Sequence, residues 1–156
     1  MTSIQITEFR EQPTAGVRER VPMTELTAFF SRAFAETMTA LQAQGLHPVG
    51  PPYGKYYGPP TETVDVEAGY PVAAAFAPAG RVVPGVLPGG RGVAAVHVGP
   101  YDSMESTYSE VEHYFTTSAL TPGAVMWESY LTDPEGEPDP ARWQTQICWP
   151  LAVDAP

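Results

Sequence analysis

Basic residues are scarce in this sequence. Eight Lys and Arg stand against 18 Asp and Glu, a formal net charge of −10. A protein that displaces counterions from a phosphate backbone needs a basic stripe, and none is present, so no direct nucleic-acid binding is expected. Cysteine is scarcer still. Cys148 stands alone, which excludes an internal disulfide framework and a Cys-rich metal site. Set between Ile147 and Trp149, it reads as a small buried hydrophobe. No run of 18 apolar residues occurs, so no membrane span is expected. The start Met1-Thr2-Ser3-Ile4 lacks the basic and apolar regions of a signal peptide, and a cytoplasmic location is expected. The histidines His47, His97 and His113 show no metal-ligand spacing, and neither metal nor cofactor is expected. His97, at a strand end before Gly99-Pro100, reads as a structural tie. No serine-nucleophile motif is present, and the Gly-rich Leu87-Pro-Gly-Gly-Arg91 lacks the lysine of a phosphate loop.

Against these absences stands a hydrophobic fraction of 43% in 156 residues. That is enough apolar matter to bury one core and offset chain entropy, despite 18 prolines and 14 glycines. The acidity is uneven. Residues 1–99 hold 8 acids and 7 bases, whereas residues 100–156 hold 10 acids and only Arg142. Much of the excess falls in the Pro/Gly-rich stretch Thr132–Ala141, which reads as an exposed loop. Glu128 differs, because it lies inside an aromatic and apolar run.

Periodicity orders the elements. Ile4–Glu11 alternates as a strand, and Thr14–Arg20 is expected to continue it after a break at Pro13. From Pro22 to Gln44, Met23, Leu26, Phe30, Phe34, Met38 and Leu41 recur every three or four residues and predict a helix with one core face. Gly45 falls at the position just past its end. Tyr53–Tyr57 and Thr61–Glu67 read as strands joined at Gly58-Pro59-Pro60, and 70–90 as irregular. Arg91–Val98 is a strand. Asp102 and Glu105 have capping-box spacing at the head of a second helix. Its buried face is marked by Tyr101, Met104, Tyr108, Val111 and Phe115, so Tyr101 and Tyr108 are expected to pack in the core. Ala124–Thr132 and Trp143–Leu151 complete the strands.

Strand, helix, strand, strand thus occupies about 4–67 and recurs over about 91–151. Gly45-Leu-His-Pro48 answers Ala119-Leu-Thr-Pro122 at an offset of 74, which also sets Tyr53 against Trp127 and Tyr56 against Tyr130. The expected fold is α+β over a single domain, residues 1–156. It has two tandem β-α-β-β units, an antiparallel sheet and both helices on one face. The other sheet face, or the seam between the units, is left to host a site.

Alternation along Ala124–Leu131 puts Met126, Glu128 and Tyr130 on one face, and Val125, Trp127, Ser129 and Leu131 on the other. A desolvated carboxylate among tyrosines needs compensation, which hydrogen bonds or a cationic ligand can supply. Glu128 is therefore a candidate floor for a lipophilic-cation pocket, or a general base with raised pKa. The alternative is a glutamate on the solvent face of an edge strand. Eight tyrosines, three of them in Tyr53-Gly-Lys-Tyr-Tyr57, offer flat walls for aromatic or cationic ligands, although tyrosine is also simply a good strand residue. Glu67 shares a strand face with Asp65. It is either a second carboxylate of the site or part of a solvated face.

His97-Val-Gly-Pro-Tyr101, then a helix, then Trp127-Glu-Ser-Tyr-Leu-Thr-Asp-Pro134, resembles the GyrI-like (gyrase-inhibitor-like) small-molecule-binding family. That family includes effector-binding domains of AraC- and MerR-type multidrug-responsive regulators. Pro51-Pro-Tyr-Gly-Lys-Tyr-Tyr57 and Val64–Val72 look like its mid-domain segments, so the resemblance covers nearly the whole chain. It implies two β-α-β-β units around a central cleft, in which a glutamate accepts lipophilic, often cationic, aromatic molecules. Glu128 matches that glutamate, and Tyr130, Trp127, Tyr53, Tyr56 and Tyr57, with Glu67, would surround it. Some family members without a DNA-binding domain hydrolyse cyclopropane-bearing alkylators. For such a hydrolase, Glu128 and Tyr130 would act as acid and base. Another member inhibits gyrase by protein contact. The family-like region runs from near residue 4 to near 151 and leaves no helix-turn-helix segment. The leading expectation is therefore a stand-alone binder of such molecules. A hydrolase, or an inhibitor of a protein partner acting through the acidic loop, are the alternatives.

Overall fold

The computed structural model describes residues 3–133 and 136–152. Pro134 and Glu135, within the acidic loop, lie outside the described residues, as do both chain ends. The chain forms strands β1 (Ser3–Phe9) and β2 (Gln12–Pro22), helix α1 (Leu26–Ala43), and strands β3 (Tyr53–Tyr56), β4 (Thr63–Pro71), β5 (Val83–Leu87) and β6 (Gly90–Val98). Helix α2 (Met104–Thr117) and strands β7 (Met126–Tyr130) and β8 (Gln144–Pro150) follow. All eight strands join one antiparallel sheet in the order β1-β6-β8-β7-β3-β4-β2-β5, curled as a half-barrel. The α+β class expected from the sequence is correct.

Several local expectations are corrected. Thr14–Arg20 does not continue the first strand in the sheet. It lies in β2, which pairs with β4 and β5, while β1 closes the opposite edge against β6. The apolar side chains of β1 explain the separation. Ile4 packs toward the core beneath α2, and the Phe9 ring sits 5.1 Å from that of Trp127. Residues 70–90 are not wholly irregular, because β4 runs on to Pro71 and Val83–Leu87 forms β5. Pro22 ends β2 rather than opening α1, and a 3-10 turn at Met23–Glu25 intervenes. The capping box at Asp102 does not form. A 3-10 turn covers Tyr101–Ser103, and α2 starts behind Ser103 without a side-chain cap.

The apolar stripe of α1 is turned relative to expectation. Phe29, Ala33, Thr37, Ala40 and Leu41 are the buried residues. Leu26, Phe30 and Phe34 are only partly buried beside that core. One cluster lies between α1 and β2/β4, including Val17, Val64, Val66 and Leu41. A second lies beneath α2, including Val93, Val111, Phe115 and Ile147. Tyr56 touches both.

Both helices end in the same way. Gly45 adopts φ +69°, with its N–H bonded to Gln42 O and that of Leu46 to Leu41 O. Ala119 adopts φ +55°, with Ala119 N–H on Thr116 O and Leu120 N–H on Phe115 O. This double bond closes a helix around a left-handed residue, a conformation that favours glycine.

Candidate functional site

Register decides which face each candidate residue occupies. Gly54 of β3 pairs with Glu128 of β7, and Tyr56 with Met126, so Tyr56, Met126, Glu128 and Tyr130 share one face. That face carries the helices. Phe30 of α1 meets the Tyr130 ring edge-on at 6.0 Å, and Tyr108 of α2 donates its hydroxyl to Glu128 Oε2. Tyr130 Oη donates to Glu128 Oε1 at 2.8 Å. The close fit depends on Gly54, since a Cβ there would stand 2.6 Å from Tyr130 Oη and 2.8 Å from Phe30. Two cavities of about 580 and 380 Å³ open beside these residues, and both are walled by Leu26, Tyr56 and Glu128. Both cavities thus open on the helix-bearing face of the sheet.

Glu128 is 7% exposed, so the solvent-face alternative does not hold for it. Among the described residues no ion pair reaches it. Burial pushes its carboxyl above the ordinary carboxylate range, and the hydrogen bonds from Tyr108 and Tyr130 oppose this in part. Burial, then the Glu128 charge, pushes the Tyr108 and Tyr130 phenols upward, so both remain neutral donors at physiological pH. Burial also raises Tyr56. The arrangement is a carboxylate held by phenol donors in an apolar recess. A carboxylate so placed is chemically able to accept a positive charge that sheds its water.

Tyr53, Tyr57, Trp127 and Glu67, expected at the same site, occupy the opposite face. Trp127 packs with Tyr53, Leu87, Cys148 and Phe9. Glu67 is 6% exposed, so the solvated-face reading fails for it as well. It accepts hydrogen bonds from Tyr53 Oη at 2.5 Å and Tyr57 Oη at 2.7 Å. Lys55, also buried, donates to Val86 O at 2.8 Å. Burial lowers its pKa, with Glu67 opposing. The Arg18 guanidinium lies 3.5 Å from the Tyr57 ring centroid and pairs with Asp65. These residues fill and brace their side of the sheet. None of the four walls either cavity beside Glu128. The physical reason is the pleat, which sends Trp127 and Tyr53 away from Glu128 and Tyr56.

Sequence reasoning overlooked other walls. Tyr101 is 42% exposed, where core packing was expected. Its ring lies 5.1 Å from Trp143 and 5.9 Å from Tyr130, and it lines the smaller cavity with Phe30, Phe34 and Met104. Tyr108, also expected in the core, lines the larger cavity with Met23, Met126 and Trp149. The signal was present in the apolar stripes, but periodicity does not separate residues that face the sheet from those at the stripe's edge. His97 is the tie expected. Its Nε2 contacts Pro100 O at 3.0 Å and its Nδ1 contacts Thr107 Oγ1 at 2.6 Å, fixing β6 to the head of α2. Cys148 is buried, and burial pushes its thiol up to about 12, in keeping with an inert hydrophobe. No helix among the described residues is long and apolar enough to cross a membrane.

The structure thus sets a recessed carboxylate beside two cavities on the helix-bearing face of an α+β fold. The family model of the GyrI-like small molecule binding domain matches residues 2–152. The chain belongs to the GyrI-like family. It is similar in structure to EcmrR as seen by cryo-EM in a DNA complex, with 23% identity and a TM-score of 0.85. That match covers 98% of this chain and 58% of that one. The crystallised C-terminal domain of EcmrR matches with 22% identity and a TM-score of 0.84, covering 98% of this chain and 99% of that one. SAV2435, solved bound to tetraphenylphosphonium, matches with 14% identity and a TM-score of 0.71, covering 96% and 93%. At these identities the structural likeness speaks to the fold. No curated protein sequence matches the chain.

Proposed function

We propose that this protein binds lipophilic, aromatic, cationic small molecules in a central cleft between two tandem β-α-β-β units of one domain. Glu128 accepts the positive charge, and Tyr56 and Tyr130 form part of the wall. The observation that carries the reading is Glu128 itself, a buried carboxylate with two phenol donors and no ion pair among the described residues. Tetraphenylphosphonium on SAV2435 is an ion of this class on a protein of the same fold. The matching helix ends at Gly45 and Ala119 support the tandem reading.

Fluorescence titration with a rhodamine cation tests this. Saturable binding is expected, weakened roughly tenfold or more by Glu128→Gln, since a lost charge-assisted contact is worth more than about 1.4 kcal/mol. Unchanged affinity in that variant would overturn the reading. A hydrolase is the second reading, favoured by the neutral phenols bonded to a carboxylate, which are an acid and a base in contact. It predicts turnover of a cyclopropane-bearing electrophile, followed by mass spectrometry, that Glu128→Gln abolishes. Binding alone predicts no product.

A further inference from the structure

The motif His97-Val-Gly-Pro-Tyr101 has one end in the sheet and the other on a cavity wall. His97 is 5% exposed. It pairs with Thr145 of β8, which pairs with Tyr130 of β7, so His97 lies on the face of Tyr130. Its ring holds two segments at once. Nδ1 lies 2.6 Å from Thr107 Oγ1 of α2. Pro100 O can only accept, so Nε2 donates to it at 3.0 Å, and Ser103 Oγ lies 3.1 Å from the same nitrogen. Pro100 O also accepts from Ser103 Oγ at 2.8 Å and from Ser103 N–H at 3.2 Å. The two Ser103 bonds close the turn on itself, whereas the His97 bond comes from the strand. Tyr101 follows Pro100 directly, in a 3-10 turn without a side-chain cap. Its ring stands 5.1 Å from Trp143 and 5.9 Å from Tyr130. With 42% of the residue exposed, packing alone does not fix that ring, and its place follows from the backbone that carries it.

We infer that His97 is a positioning residue for the wall of the smaller cavity. Through Pro100 O it holds the turn so that Tyr101 fills the space between Tyr130 and Trp143, and a guest meets a finished wall. The effect on binding rests on the proposed function, whereas the placement of Tyr101 does not. The two ring nitrogens have separate tasks. Nε2 sets the turn that carries Tyr101, and Nδ1 braces α2. A glutamine amide reaches about as far as Nε2, and an asparagine amide about as far as Nδ1, so substitution separates the tasks.

The test begins with ligand-free protein labelled with 3-fluorotyrosine. The Tyr101 fluorine signal is the one lost in Tyr101→Phe, and ring currents from Trp143 and Tyr130 make it report the place of the ring. His97→Asn is expected to move that signal toward the position of exposed fluorotyrosine. His97→Gln should leave it near the wild-type position. Thr107→Val, which removes only the Nδ1 contact, should leave it there too, and it carries the test if His97→Asn does not fold. Rhodamine titration follows the consequence. His97→Asn should weaken binding about threefold to tenfold, the range of one lost hydrogen bond. In a Tyr101→Ala background it should cost nothing further, because the residue it places is gone. A fluorine signal unmoved in His97→Asn, or displaced in Thr107→Val, overturns the inference. So does an undiminished cost of His97→Asn in the Tyr101→Ala background, which would show His97 acting directly on Glu128, within whose electrostatic reach it lies. If rhodamine does not bind the wild-type protein, the binding function falls, and the fluorine signals still decide the placement of Tyr101.

Discussion

At the scale of single residues, the proposed site turns on Glu128. Its carboxyl titrates above the ordinary carboxylate range because burial penalises the charge more than Tyr108 and Tyr130 compensate it. Under the proposed function, a cation would bind the ionised form. Affinity for a permanently charged ligand should therefore fall as pH drops through the raised pKa, and each binding event in that window should release a proton. Titrations in buffers of different ionisation enthalpy measure this directly, and Glu128→Gln should flatten the profile. The same shift carries a stability consequence. A carboxyl whose pKa is raised on folding favours the folded state in acid, and that contribution is lost as pH rises through the raised value. Glu128→Gln should thus raise the melting temperature of the ligand-free protein at neutral pH while weakening cation binding, a trade-off common at functional sites. Gly54 is the second key position. Gly54→Ala forces Tyr130 or Phe30 to move, because the new Cβ would lie 2.6 Å and 2.8 Å from them. It should weaken ligand binding several-fold with Glu128 untouched, as a titration would show.

At the scale of elements, the two helices show how much was legible beforehand and where legibility stopped. The three-to-four-residue spacing locates α1 and α2 well, because burial of one stripe is a local demand of helix geometry. It misplaces the centre of the stripe in α1. Phe29 and Ala33 face the sheet, while Phe30 and Phe34 at the stripe's edge face the cavity. A stripe wider than the sheet can cover leaves apolar surface for a ligand, and only packing reveals which edge is spare. The helix ends yield a further prediction. Ala119 holds φ +55° where the equivalent turn after α1 uses Gly45. A non-glycine residue there costs about 1–2 kcal/mol, of which glycine's greater unfolded-state entropy takes back about 0.5–1. Ala119→Gly should stabilise the protein by about 0.5–1 kcal/mol, read from urea midpoints, and leave cation affinity unchanged.

At the scale of the whole molecule, the central strands β3 and β7 carry two separate clusters on their two faces. Glu128 with Tyr108 and Tyr130 borders two cavities, whereas Glu67, bonded by Tyr53 and Tyr57, borders neither of them. The chemistry is similar, and the surroundings differ. Tyr53→Phe removes the hydroxyl bonded to Glu67 and leaves a buried carboxylate oxygen short of a donor. It should cost about 1–3 kcal/mol of stability in denaturant titration, with cation affinity changed less than twofold. A large loss of affinity would mean that the two faces are coupled more tightly than the sheet between them indicates. The strand order has a related consequence. β1 pairs with β6, far along the chain, so deleting residues 3–9 should expose the β6 edge and uncover Trp127 at Phe9, lowering the melting temperature.

The sequence by itself determined the α+β class, the two helices with the left-handed turn at Gly45, and the face that Glu128 shares with Met126 and Tyr130. These follow from periods of 3.6 and 2.0 and from the steric freedom of glycine, which are local properties. Tertiary structure alone decided that β1 and β2 part to distant places in the sheet. It also decided that the helix-bearing face holds the cavities, and that Tyr101, Tyr108, Phe30 and Phe34 wall them in place of Trp127 and Tyr53. Each of these depends on which strands become neighbours and on how far one helix stands from the other. Such distances are set by contacts between residues remote in sequence, and no local pattern encodes them.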